Sequence, residues 1–254
     1  RAAELPDVSG IHADFHALTA VHRPVGSQGE NGAVQYLKKR FTEMGYEVTL
    51  QSYEDGQGRK GTNVVAVKAA PLPNADILVL SAHHDSVPTA YGANDNASGV
   101  AALLYVAELL QDIPTDTEVR FISFTDEENG KYGSRFYTSS LTQAEKDRMV
   151  GNIQFDMLGG LGTEDALVCT MDGEANWVSD LLQQQDSALR RGRETASDHA
   201  SLQLAGVPSV LLMQNGRGYL YHSAADTVEQ LNPYAIARTA ERAGAAVKEI
   251  LSAD

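Results

Sequence analysis

The amino-acid sequence predicts an α/β fold with a mixed, mainly parallel central sheet sandwiched between helices. Short apolar runs such as ILVLSA and PSVLLM have the length of buried strands. These runs alternate with helical patterns, which is typical of a parallel sheet covered by helices on both faces. Two early segments, YEVTLQSY and TNVVAVKA, flank the polar turn EDGQGRKG. They predict an antiparallel hairpin at one edge of the sheet.

In the first half of the chain, the pattern of apolar residues predicts each element in turn. The segment 29–44 places Val34, Leu37 and Phe41 on one helical face at spacings of three and four. The nearly continuous apolar run at 75–84 is typical of a strand covered on both faces. The elements predicted here are helices at 9–20, 29–44 and 99–110, and strands at 46–53, 62–69, 75–84 and 118–125.

The second half continues the alternation of strands and helices. Its last segment is amphipathic and places Ile236, Ala240 and Ala243 on the inward face of a long helix. The elements predicted here are helices at 133–140, 174–185, 198–206 and 232–251, and strands at 152–157, 165–171 and 208–214.

Composition excludes several classes of protein. A formal net charge of −14 argues against a nucleic-acid partner, which needs clustered Lys and Arg. No run approaches the roughly 18 apolar residues of a membrane span. The single cysteine, Cys169, excludes an internal disulfide and a thiolate metal cluster. No linker divides the sequence, so we expect one domain over residues 1–254.

Polar residues follow the ends of the predicted buried strands. Ligands of open α/β sheets collect at the carboxyl ends of the strands, so these side chains are expected to meet at one edge. The residues concerned are His83, His84, Asp85, Asp126, Glu127, Glu128, Asp156, Tyr221 and His222, with Asp95 in the loop before helix 99–110.

Carboxylates gathered at one edge repel one another and require a compensating cation. Imidazoles with carboxylates suit zinc or a similar divalent ion. Two histidines and three carboxylates are more ligands than one four-coordinate zinc needs. They fit two ions that share a carboxylate.

The motifs AHHDS, GANDNASG, DEENG, FDM, SDH…GVP and YHSAADT together resemble the M28 zinc peptidases, the dinuclear aminopeptidases of bacteria and fungi. RPVGS…YLKKRFTEMGYEV and TNVVAVK are also similar to that family, so the resemblance covers most of the chain. It implies two Zn²⁺ ions per chain and hydrolysis of peptides that have a free N-terminus.

The resemblance also implies a role for each site residue. His83 and Asp156 would bind one metal, Glu128 and His222 the other, and Asp95 would bridge them. Glu127 would be the general base, and Tyr221 would donate a hydrogen bond to the developing oxyanion. Asp85 would orient the ring of His83.

Strand geometry agrees with the choice of His83 over its neighbour His84. Residues 83 and 85 share one face of a strand, while residue 84 points to the other. An aspartate two residues from a histidine can therefore orient the imidazole ring. Asp95 taken alone would be expected to cap helix 99–110, a role that Asn96 or Ser98 can also fill.

Four further polar residues have less specific interpretations. Asp126 stands where the family usually has a small residue, which bears on the local charge of the site. Asp198 and His199 match the family pattern and are expected to support the site or form a pocket wall. Asp226 is expected to hold the His222 loop through local hydrogen bonds.

Other functions compatible with these residues differ in their requirements. A glutaminyl cyclase of the same superfamily would use a single zinc for aminoacyl transfer. A carboxypeptidase would need arginines in the substrate pocket, for which the candidates are Arg190, Arg191, Arg193 and Arg217. A binding protein on an inactive peptidase scaffold would have lost ligands, and all five are present.

The family resemblance suggests an extracellular or periplasmic location, although no signal peptide is visible in this sequence. We also expect a monomer. Several family members carry a protease-associated domain after the first hairpin, whereas only EDGQGRKG occupies that region here. The pocket is therefore expected to be open to longer peptides.

Overall fold

A computed structural model of the chain describes residues 5–162, 166–218 and 220–251. Its helices are α1 Ser9–Leu18, α2 Gln28–Glu43, α3 Ser98–Leu110, α4 Tyr132–Ser140, α5 Gln143–Arg148, α6 Trp177–Gln185, α7 His199–Leu204 and α8 Pro233–Leu251. Its strands are β1 Glu47–Glu54, β2 Lys60–Lys68, β3 Ile77–His83, β4 Glu118–Phe124, β5 Met149–Phe155, β6 Leu167–Thr170, β7 Arg190–Arg193 and β8 Ser209–Met213.

The described strands form one eight-stranded sheet in the order β1-β2-β4-β3-β5-β8-β6-β7. The pairs β3–β4, β3–β5, β5–β8 and β6–β7 are parallel, and β1–β2, β2–β4 and β6–β8 are antiparallel. The predicted fold class is confirmed, as is the early hairpin at the sheet edge. Only residues 55–59 join β1 to β2, so no domain is inserted between these strands.

Helices cover both faces of the sheet, and strand β3 shows how. Leu78 and Leu80 pack in the larger core cluster with α3 and α8, whereas Ile77 and Val79 pack in a second cluster with residues of α4 and α7. All four side chains are fully buried. A strand covered on both faces cannot alternate polar and apolar residues, which is why β3 has an almost continuous apolar sequence.

Two of the α-helices and strands named above are absent from the sequence prediction. Strand β7 has the sequence RRGR, with largely exposed side chains at the sheet edge, so no apolar pattern marks it. Helix α5 has six residues, and Thr142 and Glu145 form a capping box at its start. The capping-box pattern, a threonine followed three residues later by a glutamate, is present in the sequence and could have predicted this helix. Asp165, where the predicted strand 165–171 begins, lies outside the described residues.

The carboxyl ends of the central strands lie side by side. His83, the last residue of β3, pairs in register with Phe124, the last residue of β4. Strand β5 ends at Phe155 and is followed directly by Asp156. Segments far apart in sequence therefore deliver their polar residues to one edge of the sheet. None of the described helices is long and apolar enough to cross a membrane.

Candidate metal centre

Two clusters of potential metal ligands lie at this edge, and they share Asp95. The first consists of His83, Asp95 and Asp156, and the second of Asp95, Glu128 and His222. In each cluster, one ligand atom per residue lies within 4.8 Å of the others. The structure thus brings together the five residues that the sequence analysis proposed as ligands, in the same two groups.

The short distances within the clusters involve the two imidazole rings. His83 Nε2 lies 3.3 Å from Asp95 Oδ1 and 3.5 Å from Asp156 Oδ1. His222 Nε2 lies 3.1 Å from Asp95 Oδ2 and 2.9 Å from Glu128 Oε2. Each carboxylate oxygen of Asp95 therefore faces a different histidine, as a bridging ligand requires.

The donor atoms fit divalent cations. Among the described residues, His83 Nε2, Asp156 Oδ1 and Glu128 Oε1 are buried without a hydrogen-bond partner. Leaving one such atom unpaired costs about 1–3 kcal/mol, so three at one place indicate a ligand. Imidazole nitrogen and carboxylate oxygen are donors that zinc accepts. The residues present could hold two ions with Asp95 between them.

Crowding of carboxylates also shifts their proton affinities. Burial, together with the charge of Asp95, raises the pKa of Glu128 to about 7. Burial raises the pKa of Glu127 well above its ordinary value, and neighbouring carboxylates add to the effect. Burial opposes the ionisation of Asp95 too, but the adjacent imidazoles of His222 and His83 outweigh it and lower its pKa to about 2. The cluster therefore contains more negative charge than the two imidazoles compensate.

Asp85 holds both His83 and the loop after β4. Its Oδ1 lies 3.2 Å from His83 Nδ1. The two oxygens also accept hydrogen bonds from the backbone N–H groups of Glu127 and Glu128, each at 3.2 Å. This second function was missed, because strand geometry predicts only the contact between residues 83 and 85. His84 turns away from the clusters, and its Nδ1 lies 2.9 Å from Ser123 Oγ.

Glu127 and Tyr221 adjoin the clusters. Glu127 Oε2 lies 3.9 Å from His83 Nε2. The Tyr221 ring stacks on His222 with ring centroids 3.6 Å apart. Both residues line a small cavity next to Asp95 and Asp156, so both could contact a substrate bound there.

Asp126 does not add its charge to the metal centre directly. The carboxylate is fully buried, accepts hydrogen bonds from the Tyr53 hydroxyl and Asn129 Nδ2, and lies 3.4 Å from the Arg59 guanidinium. The contacts with Tyr53 and Arg59 tie the loop after β4 to the β1–β2 hairpin. The local sequence could not indicate them, because Tyr53 and Asp126 are 73 residues apart.

Asp226 forms the expected local hydrogen bond in the His222 loop through its backbone N–H, which donates to Ser223 O at 3.1 Å, but its side chain has distant partners. Its carboxylate accepts the backbone N–H groups of Asn94 at 2.7 Å and Asp95 at 3.1 Å, more than 130 residues away in sequence. Asp226 thus holds the segment that carries the shared ligand. Ser197, which the sequence analysis also missed, donates a hydrogen bond to Asp156 Oδ2 at 2.7 Å.

Ala97 occupies the N-cap position of α3, and Asn96, one residue earlier, accepts the backbone N–H of Gly99 in the first turn at 2.9 Å through its Oδ1. Asp198 and His199 are both fully buried. Burial raises the pKa of Asp198 to about 7 and lowers that of His199 to about 4. His199 Nε2 contacts the backbone oxygen of Glu194 at 2.8 Å, which supports a loop that lines the cavity beside Glu127.

Known proteins are similar to this chain in sequence and in fold. Aminopeptidase YwaD of Bacillus subtilis (strain 168) is 30% identical over 240 residues, which cover 89% of this chain and 50% of that protein. The chain thus spans about half the length of this curated relative. BSAP, a zinc aminopeptidase from Bacillus subtilis, superposes with a TM-score of 0.93 at 18% identity, covering 99% of this chain and 97% of that one.

A glutaminyl cyclase from Bacteroides thetaiotaomicron, solved with N-acetylhistamine, superposes with a TM-score of 0.81 at 18% identity. The match covers 99% of this chain and 100% of that one. At such identities the solved structures establish the fold, and the fold alone does not decide the activity. The profile of peptidase family M28 matches residues 63–247. This match spans most of the sequence and every candidate ligand, and the chain belongs to peptidase family M28.

Proposed function

We propose that the chain is a metallo-aminopeptidase that removes N-terminal residues from peptides at a centre that binds two zinc ions. The observation that carries the proposal is the pair of three-residue clusters sharing Asp95. Two divalent ions bound there would polarise the scissile carbonyl and acidify a water molecule. The similarity to aminopeptidase YwaD of Bacillus subtilis supports the same activity.

Glu127 would act as the general base. It lies beside the first cluster but belongs to neither of the two ligand groups, so its carboxylate is left for proton transfer. Burial raises the pKa of Glu127 above its ordinary value, which makes the carboxylate a better proton acceptor. It would take a proton from the attacking water and pass it to the leaving amine.

Tyr221 would stabilise the negative charge that develops on the carbonyl oxygen. Stacking on His222 holds its ring against the second cluster. Burial, with the charges of Asp95 and Glu128, raises the pKa of Tyr221 to about 12. The phenol therefore stays protonated at neutral pH and can donate a hydrogen bond to the oxyanion.

The free N-terminus of the substrate would bind among the carboxylates of the small cavity beside the metal centre, which Asp95, Glu127 and Asp156 line. An ammonium group placed there would offset negative charge that the site otherwise concentrates. A peptide with an acetylated N-terminus lacks this charge and is expected to be a poor substrate.

A glutaminyl cyclase is the second candidate, because a protein with that activity shares the fold. A single-zinc enzyme would not need both clusters complete. Here Asp95, Glu128 and His222 form a full second group, which favours two ions and hydrolysis.

Metal analysis and substrate assays separate these candidates. Protein stripped with a chelator and reloaded should bind two equivalents of zinc and hydrolyse Leu-p-nitroanilide. The His222→Ala variant lacks one ligand of the second cluster, so it should bind one equivalent of zinc and lose most of its activity on Leu-p-nitroanilide. One equivalent in the unmodified protein, together with cyclisation of N-terminal glutamine, would instead establish the cyclase.

The expected location and oligomeric state remain predictions. An extracellular or periplasmic enzyme should be recovered from the culture medium or periplasmic fraction of its source cells. A monomer should elute at its chain mass of 27.3 kDa in size-exclusion chromatography with light scattering.

A further inference from the structure

Two cavities adjoin the metal centre, with volumes of about 100 Å³ and about 20 Å³. Four residues line both cavities: Asp95, Met157, Arg217 and Tyr221. A substrate whose first side chain occupied either cavity would therefore lie beside these residues. Charge on them would affect the selection of substrates.

Arg217 is the only lysine or arginine among the described residues that line either cavity. The other ionisable acids and bases there are carboxylates and one phenol, and the whole chain has a net charge of −14. A carboxylate on an approaching substrate would meet repulsion from these groups. Attraction would come from the Arg217 guanidinium, in addition to the metals.

Contacts on two sides hold Arg217 at this position. Its Nη2 lies 2.7 Å from Glu194 Oε2, and its guanidinium carbon lies 5.6 Å from the centroid of the Tyr221 ring. Gly216 and Gly218 on either side have φ values of 87° and 75°, a left-handed conformation that glycine adopts without strain. The loop tip therefore presents the arginine to the cavities.

The hydrogen-bonding capacity of the pair is unequal. Glu194 Oε1 already accepts the backbone N–H groups of Thr195 and Ala196 at 2.8 and 3.0 Å, and Oε2 accepts from Arg217. Arg217 has five N–H donors, and Glu194 is its only hydrogen-bond partner in the described parts of the chain. Its side chain is 41% exposed, against 18% for Glu194. Arg217 therefore has donors available for a ligand, whereas both Glu194 oxygens are engaged.

We propose that Arg217 is a specificity-determining residue that binds a carboxylate of the substrate, either an acidic first side chain or the free C-terminus of a short peptide. The proposal rests on the proposed peptidase function. A guanidinium binds a carboxylate through two parallel hydrogen bonds, so this contact would favour acidic substrates over isosteric neutral ones.

Another arginine provides a matched control. Arg191 lies on the edge strand β7 and pairs with Asp180 at 2.6 Å, away from the residues that line the two cavities. Arg191→Gln makes the same change of charge as Arg217→Gln. Any effect of net charge alone should appear equally in both variants.

The experiment compares kcat/KM for matched substrates in zinc-loaded protein. Glu-p-nitroanilide against Gln-p-nitroanilide reports on the first side chain, and Leu-Ala against Leu-Ala-amide reports on the C-terminal carboxylate. Arg217→Gln should lower the acid-to-neutral ratio about three- to tenfold in at least one pair, as expected for a partly exposed charge pair. Glu194→Gln, which releases Arg217 from its partner, should raise the same ratio. Arg191→Gln should leave it unchanged.

Equal effects of Arg217→Gln on acidic and neutral substrates in both pairs would overturn the proposal. A binding measurement separates this outcome from failure of the proposed function. The same pairs titrated into the Glu127→Gln variant give a ratio of dissociation constants that needs no turnover. If Arg217→Gln in this background changes that ratio while the unmodified protein hydrolyses none of the substrates, the carboxylate site stands and the aminopeptidase proposal falls.

Discussion

Replacing Tyr53 with phenylalanine tests how the β1–β2 hairpin supports the loop that carries Glu127 and Glu128. The substitution removes the hydrogen bond that the Tyr53 hydroxyl donates to the buried Asp126 carboxylate. The loss of one donor to a buried charged acceptor lowers the free energy of unfolding by about 1–3 kcal/mol. Asn129 and Arg59 still contact Asp126, so we expect the free energy of unfolding to fall by an amount near the lower end of that range.

The same substitution should reduce turnover, because Asp126 directly precedes Glu127. A displacement of about 1 Å at a catalytic group can cost roughly 100-fold in rate, and a loop that keeps its contacts with Arg59 and Asp85 should lose less. We expect kcat to fall about three- to tenfold with little change in KM.

Denaturant unfolding and kinetics on Leu-p-nitroanilide measure both effects. Ser52→Ala is the matched control, because Ser52 is the neighbouring residue on β1 and its hydroxyl contacts Thr62 at the surface, at 3.0 Å. A Tyr53→Phe protein as stable and as active as Ser52→Ala would refute the reasoning that the hairpin positions the catalytic loop.

Three further predictions follow from other residues. Glu127→Gln should retain two equivalents of zinc while kcat falls about 10²- to 10⁴-fold; metal analysis beside the rate measurement checks this, and a fully active variant would remove Glu127 from proton transfer. Burial lowers the pKa of His199 to about 4, below the value of about 6.5 that is ordinary for an unfolded chain. Between these two pH values the unfolded chain binds more protons than the folded one, so the free energy of unfolding should decline as pH falls from about 6.5 to about 4. His199→Gln should reduce that slope by up to about 1.4 kcal/mol per pH unit, measured by urea unfolding between pH 7 and pH 5; an unchanged slope would contradict the assignment. The short connection between β1 and β2 should leave the site open, so dipeptides and decapeptides should be hydrolysed at comparable rates, whereas a strict dipeptide preference would count against an open site.

The sequence pattern predicted most of the sheet because apolar periodicity reflects burial directly. Strand β3 is buried on both faces and has a continuous apolar sequence, so its position could be predicted from the sequence. Strand β7 was not predicted, because an exposed edge strand with the sequence RRGR buries too little apolar surface to leave a pattern. Element boundaries depend on backbone hydrogen bonds, which a pattern of side chains records only partly.

Within the site, residue type and strand position predicted which edge of the sheet carries the ligands, whereas the two ligand groups were implied by the resemblance to the M28 peptidases. His83, Asp156 and Glu128 lie at or after the ends of parallel strands, and parallel strands end at a common edge. The direction of a single side chain was not predictable in the same way. Asp126 stands beside Glu127 in the sequence, yet its carboxylate faces Tyr53 and Arg59 instead of the clusters.

The family, the order of the main elements and the residue types able to bind metal can be recognised in the amino-acid sequence, because these depend on local composition and spacing. The groups that support the ligands and border the cavities became identifiable only in the folded structure. Asp226 holds the Asp95 segment, Ser197 holds Asp156, and Arg217 with Glu194 borders the cavities. Such contacts join loops that are tens of residues or more apart, and their geometry depends on how the sheet brings those loops together.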